Sequence, residues 1–245
     1  VESHEGQFYD ALAALYNDDW GTVYLDTAQR LFAAHLQPHL TPNAHLLDLC
    51  CGTGQLAGAL TADGYRVTGV DLSPGMLAHA RNNAPAANFV LGEMSTFALN
   101  DRFEAALCCF NSLNHARGVR HLTRTLLNVR QHLLPGGYFF ADLVLAEGYA
   151  HSWNRTATVD VLGGECQMVF RYEPRRQRAY CDATLRLDGQ PQVQVRMRQH
   201  VFSPKEVYEA CASSGLRLES LSPIPGDPPT GRVLLLAQAS QTLQP

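Results

Sequence analysis

His45-Leu46-Leu47-Asp48-Leu49-Cys50-Cys51-Gly52-Thr53-Gly54 is a short apolar run that breaks into a loop with two glycines. Such a run suits a strand buried on both faces, as in a parallel sheet. Residues 55–61, with Leu56, Ala57, Ala59 and Leu60, suit a helix that Gly64 would close. The glycines thus fall at a strand-to-helix turn. There they let backbone approach a ligand, and the helix N-terminus adds unpaired N–H groups and partial positive charge. Arg66-Val67-Thr68-Gly69-Val70 reads as the next strand and stops at Asp71, 17 positions after Gly54. A carboxylate at that place can accept both hydroxyls of a ribose. A nicotinamide enzyme would carry nearly the same βαβ unit.

Downstream of this unit, Ser73-Pro74 opens a helix, with Ser73 as N-cap and Pro74 at the first helical position. Phe89-Val90-Leu91-Gly92 is the predicted third strand, followed by Glu93 and Met94. Residues 103–110 form the fourth. Asn111-Ser112-Leu113-Asn114-His115 then falls at its C-terminal end, where open parallel sheets place their ligands. Val119, Leu122, Leu126, Val129 and Leu133 step by 3, 4, 3 and 4, one face of a helix over about 118–134. Leu134-Pro135-Gly136-Gly137 ends that helix, and 138–145 makes the fifth strand.

The flanks differ in character. Residues 7–37 read as helical, in two pieces separated by Asn17-Asp18-Asp19 and Gly21. Residues 150–201 alternate apolar and polar side chains (Cys166, Met168, Phe170; Ala179, Cys181, Ala183), which is the period of antiparallel strands with one wet face. Turns fall at Gly163-Gly164, Glu173-Pro174-Arg175 and Asp188-Gly189. Arg171, Arg175, Arg176, Arg178, Arg186, Arg196 and Arg198 are then mostly on the solvated face or in turns. Ser203-Pro204-Lys205-Glu206 is a capping box, and 216–221 and 232–239 are the last strands, joined by a proline-rich loop at 223–229.

The turn reads Asp-x-x-Cys-Gly-Thr-Gly, with Asp48 in the strand end and Gly58 as the third glycine. Together with Gly69-Val70-Asp71-Leu72-Ser73-Pro74-Gly75-Met76-Leu77 and the L-x-P-G-G at 133–137, it resembles the class I S-adenosylmethionine (SAM) dependent methyltransferases. Within that class the chain is similar to small-molecule N-methyltransferases, including those acting on aminosugars. The shared features are Tyr9-Asp10-Ala11-Leu12-Ala13-Ala14-Leu15-Tyr16, the stretch Phe110-Asn111-Ser112-Leu113-Asn114-His115, and a β meander before the final helix.

The resemblance implies an α/β Rossmann-like sheet of seven strands, mostly parallel with one antiparallel edge strand. Residues 1–149 and 202–245 would form this core with its N-terminal helical cap, and 150–201 an added antiparallel β layer. SAM would lie across Cys50, Gly52, Thr53 and Gly54 beside Asp48, with its ribose on Asp71. Adenine would sit near Glu93 and Met94, where the family usually has Asp rather than Glu. Tyr9 or Tyr16 would reach the methionyl carboxylate, and Met76, Cys109 and Phe110 would complete the cofactor contacts. His115 is the candidate catalytic residue, as base or as a group that positions substrate. Tyr9, Tyr149 and Trp153 would supply apolar walls that exclude water.

Other classes are disfavoured. The [DN]-P-P-[YFW] signature of nucleic-acid amino methyltransferases is missing after the fourth strand, Asp227-Pro228-Pro229 reads only as a turn, and no Pro-Cys pair occurs. With net charge −4, no attraction to nucleic acid or anionic membrane is expected. The ten histidines and seven cysteines show no metal-ligand spacing, so no metal is expected. No apolar run approaches the ~18 residues of a membrane span, and no signal-peptide pattern opens the sequence at Val1. A cytoplasmic enzyme that methylates a small molecule, an amine being the acceptor the resemblance suggests, is the expectation. A SAM-binding sensor or scaffold without activity, or an NAD(P)-dependent oxidoreductase, are the alternatives.

Overall fold

A computed structural model describes residues 4–224 and 231–241. A seven-stranded sheet carries the core: β1 (His45–Leu49), β2 (Arg66–Asp71), β3 (Asn88–Leu91), β4 (Phe103–Cys108), β5 (Leu133–Val144), β10 (Leu216–Pro223) and β11 (Arg232–Ala239), in the order β10-β11-β5-β4-β1-β2-β3. The strands from β3 through β5 pair in parallel. The expected antiparallel strand is β11, and it lies one place in from the edge, between β5 and β10. Strand order reverses between β1 and β4, so a crevice opens at their C-terminal ends.

Each face of the sheet is covered. Leu47 and Leu49 of β1 join a core with Leu122, Leu126 and Val129 of helix α7 (Val119–His132) and Val207 and Ala210 of α9 (Pro204–Ser213). Leu46 faces the other way, onto α4 (Leu25–His35) and α5 (Gln55–Ala62). Burial on both faces is why β1 is a continuous apolar run rather than an alternating one. Burying each of the three large α7 side chains contributes about 1.5–3 kcal/mol. α9 starts at the capping box read from sequence: Ser203 Oγ accepts from Glu206 N, and the Glu206 carboxylate accepts from Ser203 N at 2.8 Å.

The N-terminal cap departs from expectation. Helix α1 (His4–Ala11), α2 (Ala13–Leu15), a π-helical turn at Tyr16–Trp20, α3 (Gly21–Val23) and α4 follow one another closely. Asn17-Asp18-Asp19, expected to break the helix, instead occupies the widened turn, which keeps backbone groups bonded while bending the path. Asn17 staples the cap to the core. Its carbonyl accepts from Gln55 Nε2 at 3.4 Å, and its Oδ1 accepts from Asn83 Nδ2 of helix α6 (Pro74–Asn83) at 2.6 Å.

β5 also begins earlier than expected, at Leu133. Gly137 passes so close to β4 that an added Cβ would stand 2.8 Å from the Glu104 carbonyl oxygen, and the register of β4 on β5 shifts beside it. Gly137 therefore lets the strand start press against β4, in a stretch whose sequence suggests a loop.

A second, four-stranded antiparallel sheet comprises β6 (Arg155–Val161), β7 (Gly164–Glu173), β8 (Arg178–Leu187) and β9 (Val193–His200). Short helix α8 (Ala146–Ser152), which the sequence did not reveal, precedes it, so strand structure starts at Arg155 rather than 150. The sheet's apolar face packs on Phe8 of α1 and on Leu12, which follows it. On the other face Arg171 and Arg196 pair with Asp182, and Arg186 with Glu165. The Asp227-Pro228-Pro229 turn lies outside the described residues.

Candidate active site

A cavity of about 450 Å³ lies at the C-terminal ends of β1, β2 and β4, between the large sheet, α1 and the inner face of the small sheet. Tyr9, Tyr16, Cys50, Gly52, Asp71, Met76, Glu93, Met94, Phe110 and His115, separated by up to 106 positions in sequence, all line it. Asp48 and Cys109 line a smaller adjoining space shared with Tyr16, Cys50 and Phe110. Thr53 and Gly54 line neither. Thr53 is fully buried, with its hydroxyl donating to Gln55 Oε1 at 2.6 Å. Gly54 has φ +81°, and a Cβ there would stand 2.9 Å from Ala80 of α6. Its glycine is required by helix packing rather than by the cavity. Trp153 lines the cavity as expected, whereas Tyr149 is buried behind it.

Asp71 organises the turn. Gly52 N–H donates to one of its oxygens and Ser73 N–H to the other, both at 2.9 Å. Gly52 reaches that carboxylate at φ +54°. Burial pushes the Asp71 pKa up against the pull of these amides. An ionised carboxylate has about four acceptor sites, so these two bonds leave capacity for further donors. The structure adds Asp10, which the sequence reading passed over within the Tyr-Asp motif. Its Oδ1 accepts from Ser73 Oγ at 2.5 Å and Gly75 N at 2.8 Å, fixing α1 to the start of α6.

Asp48 is 3% exposed, and its Oδ2 has no partner among the described residues. Burial, reinforced by Asp71, raises its pKa to about 7. Between its unfolded value of about 3.9 and about 7, the folded chain holds the extra proton, so folding is weakened as pH rises through that window. Asp48→Asn lacks this titration. Its stability relative to the parent should therefore grow from about pH 4 to about pH 7 and then level off. Urea unfolding at several pH values measures the gap, and a constant gap would refute the assignment.

At the end of β3, Glu93 is already engaged. Its Oε2 accepts from Ser95 N and Oγ, and its Oε1 meets His121 Nε2 at 2.8 Å. Because Arg117 N–H donates to His121 Nδ1, the His121 proton is on Nε2 and points at Glu93. Burial would raise the Glu93 pKa, but the His121 and Ser95 bonds prevail and lower it to about 2. His121, on α7, gave no signal in sequence beyond its place in a helix.

The loop after β4 is held by a buried ion pair. Phe110 and Asn111 have φ of +61° and +50°. Their N–H groups donate to the Asp142 carboxylate, at 2.6 and 2.9 Å. Arg232 of β11 pairs with the same carboxylate and lies over the Tyr24 ring at 4.6 Å. Asn114, fully buried, donates to the Val144 and His200 carbonyls and accepts from Val144 N, so one side chain joins both sheets behind the loop. Asp142, Arg232 and Asn114 belong to three distant segments, and sequence patterning could not pair them.

His115 faces the cavity with its proton assigned by its neighbours. Gln199 Oε1 accepts from the buried Tyr149 hydroxyl at 2.9 Å, so Gln199 Nε2 must donate to His115 Nε2, at 3.1 Å. The Tyr9 hydroxyl lies 2.9 Å from the same nitrogen. Nε2 is therefore the acceptor and Nδ1 carries the hydrogen. Desolvation lowers the ring pKa to about 4. The site thus holds a neutral imidazole beside polar, uncharged Tyr9 and Gln199. Among the described residues no group of three or more His, Cys, Asp or Glu could hold a metal ion. No helix among them is long and apolar enough to cross a membrane.

Comparison with known proteins agrees with this architecture. Residues 46–137 match the pattern of the Methyltransferase domain family. Over 105 residues the chain is 39% identical to dTDP-3-amino-3,6-dideoxy-alpha-D-glucopyranose N,N-dimethyltransferase of Streptomyces fradiae, covering 43% of this chain and 41% of that protein. Over 133 residues it is 32% identical to dTDP-3-amino-3,4,6-trideoxy-alpha-D-glucopyranose N,N-dimethyltransferase of Streptomyces venezuelae, covering 54% and 55%. The matches thus span about half the length of these curated relatives. Among solved structures, DesVI of Streptomyces venezuelae superposes with a TM-score of 0.73 at 25% identity, over 98% of this chain and 100% of that one. A SAM-dependent methyltransferase of Clostridium acetobutylicum superposes with a TM-score of 0.78 at 19% identity, over 95% and 99%, a likeness of fold.

Proposed function

We propose that the chain is a class I SAM-dependent methyltransferase that transfers a methyl group to the nitrogen of a small-molecule amine, a reading supported by the match over residues 46–137 and the likeness to DesVI. The observation that carries this reading is the two-sided cavity: nucleoside-type acceptors on one side, a neutral imidazole flanked by Tyr9 and Gln199 on the other. The residues fit the cofactor. Asp71 keeps acceptor capacity for a ribose, and the unpartnered Asp48 oxygen lies in the adjoining space, where it would favour a nearby cation. Met76, Glu93 and Met94 would flank the adenine, Cys50 and Gly52 the backbone side, and Tyr9, Tyr16 and Phe110 the remaining wall. Glu93 would act through the backbone it shapes as much as through its own committed oxygens.

When bound, SAM supplies an electrophilic methyl on a sulfonium. The chain has to hold an amine in line with that methyl, keep it unprotonated and exclude water. A neutral His115 and the uncharged Tyr9 and Gln199 do not stabilise an ammonium, so the amine's free base is the form the site favours. With Nε2 taken up by Gln199 beside the Tyr9 hydroxyl, and burial lowering the ring pKa to about 4, His115 serves to position the amine rather than to take its proton. The acceptor is a small molecule rather than nucleic acid, and the free cysteines suit a reducing, cytoplasmic setting.

Methyl transfer from labelled SAM to a panel of amines, phenols and carboxylates tests the reading. SAM binding with no transfer to any class would favour a sensor, and binding of NAD in place of SAM an oxidoreductase. His115→Ala should raise KM about 2–10-fold, the loss of one hydrogen bond, and leave kcat at saturation nearly unchanged. A kcat lower by ~10²–10⁴-fold with SAM affinity kept would restore His115 as a general base.

A further inference from the structure

His121 lies in the first turn of α7, lines the cavity and is only 5% exposed. A buried histidine at such a wall invites the role of a base. Its bonds argue otherwise, because both ring nitrogens are engaged. Nδ1 accepts from Arg117 N at 3.0 Å, so the ring hydrogen is on Nε2. Nε2 lies 2.8 Å from Glu93 Oε1 and 3.0 Å from Ser95 Oγ. Ser95 Oγ donates its own hydrogen to Glu93 Oε2 at 2.6 Å, which leaves it lone pairs to share the His121 hydrogen.

The two nitrogens serve different parts of the cavity. Glu93 follows β3, and its Oε1 spends one lone pair on His121 and keeps another for a donor in the cavity. Arg117 comes two residues after His115, immediately before Gly118 opens α7. The preceding Ala116 N–H is bonded to the Leu113 carbonyl at 3.0 Å, and the Arg117 carbonyl accepts from Arg178 Nη2 of the small sheet at 3.4 Å. The Arg117 amide bond to His121 completes the hold on the backbone that carries His115.

On the reading that SAM places its adenine at Glu93 and the acceptor amine meets His115, we infer that His121 is a positioning residue for both half-sites. Its Nε2–H aims the Glu93 carboxylate at the adenine amine, and its Nδ1 fixes the segment behind His115. It acts through Glu93 and the Arg117 amide rather than on the reacting atoms. One imidazole thus sets the cofactor end and the acceptor end in register.

Two amide variants separate these tasks. In His121→Gln the side-chain NH₂ stands near the place of Nε2 and can still donate to Glu93, while nothing replaces Nδ1. In His121→Asn the shorter side chain brings its carbonyl oxygen near the place of Nδ1 and leaves Glu93 unheld. Calorimetry with S-adenosylhomocysteine and with S-inosylhomocysteine, which has a carbonyl where adenine has its amine, reads the cofactor end. Hydrogen–deuterium exchange of the Arg117 amide reads the acceptor end. The parent should prefer S-adenosylhomocysteine by about tenfold or more, because a carboxylate accepts from the amine and repels the carbonyl. His121→Asn should bind S-adenosylhomocysteine about 5–10-fold more weakly and lose most of that preference, with Arg117 exchange within about twofold of the parent. His121→Gln should keep the preference and exchange Arg117 about 3–10-fold faster.

Such opposite losses cannot come from general unfolding. Parallel losses in both variants would overturn the inference and make His121 a packing residue. Unchanged affinity in His121→Asn or unchanged exchange in His121→Gln would overturn it too, as would a parent that binds both nucleosides equally. Failure of the parent to bind either nucleoside would instead overturn the methyltransferase reading.

Discussion

Asp71→Ala should weaken SAM binding by about 10²–10⁴-fold. On the proposed reading the carboxylate accepts two ribose hydroxyl hydrogen bonds, each worth about 1.5–3 kcal/mol to a charged acceptor, and about 1.4 kcal/mol is a factor of ten. The same carboxylate holds Gly52 N and Ser73 N at 2.9 Å, so the glycine turn and the start of α6 lose their common anchor. Two stranded amides cost a further ~1–3 kcal/mol each where water cannot reach them, and the variant should melt at lower temperature. Binding therefore has to be measured well below that melting point, by calorimetry with SAM and, separately, NAD. SAM affinity within about threefold of the parent would remove Asp71 from the site.

The second large effect is on stability. Asp142→Ala should destabilise the protein by about 3–5 kcal/mol, the usual cost of leaving one member of a buried ion pair alone. The side chains of Asp142 and Arg232 are 2% and 14% exposed, so solvent screens little of the interaction. The variant also strands Phe110 N and Asn111 N, which hold left-handed conformations only because that carboxylate anchors them. At about 2–4 °C per kcal/mol for a chain of this size, the melting temperature should fall by roughly 6–20 °C. Arg196→Ala is the control. Its pair with Asp182 lies on the exposed face of the small sheet, where ion pairs contribute about 0–1 kcal/mol. Scanning calorimetry separates the two, and equal shifts would show that Asp142 has no special place in the fold.

His115 shows how far sequence reasoning reached. Its position after β4 identified it as a residue at the mouth of the sheet. Whether it could act as a base depended on its proton, and that was settled by Gln199, 84 positions away, and by Tyr149 behind it. Glu93 is similar: its place at the end of β3 was legible, but the His121 bond that commits its oxygen was not. Thr53 and Gly54 went the other way. Their motif pointed to a ligand, and the folded chain uses them against Gln55 and Ala80.

The strands, the glycine turn, the capping box and the wet meander follow from local rules, because hydrophobic period and turn chemistry are properties of neighbouring residues. His45 to Asp71 was enough to indicate a βαβ unit with a glycine turn and a carboxylate where a ribose would be met. The Asp142–Arg232 pair, the Asn114 bridge, the proton on His115 and the hold of His121 on Glu93 are decided only in the folded chain. Each depends on contacts between residues tens of positions apart or more. Burial and hydrogen bonding act through space, and one-dimensional order does not record which buried group will face which.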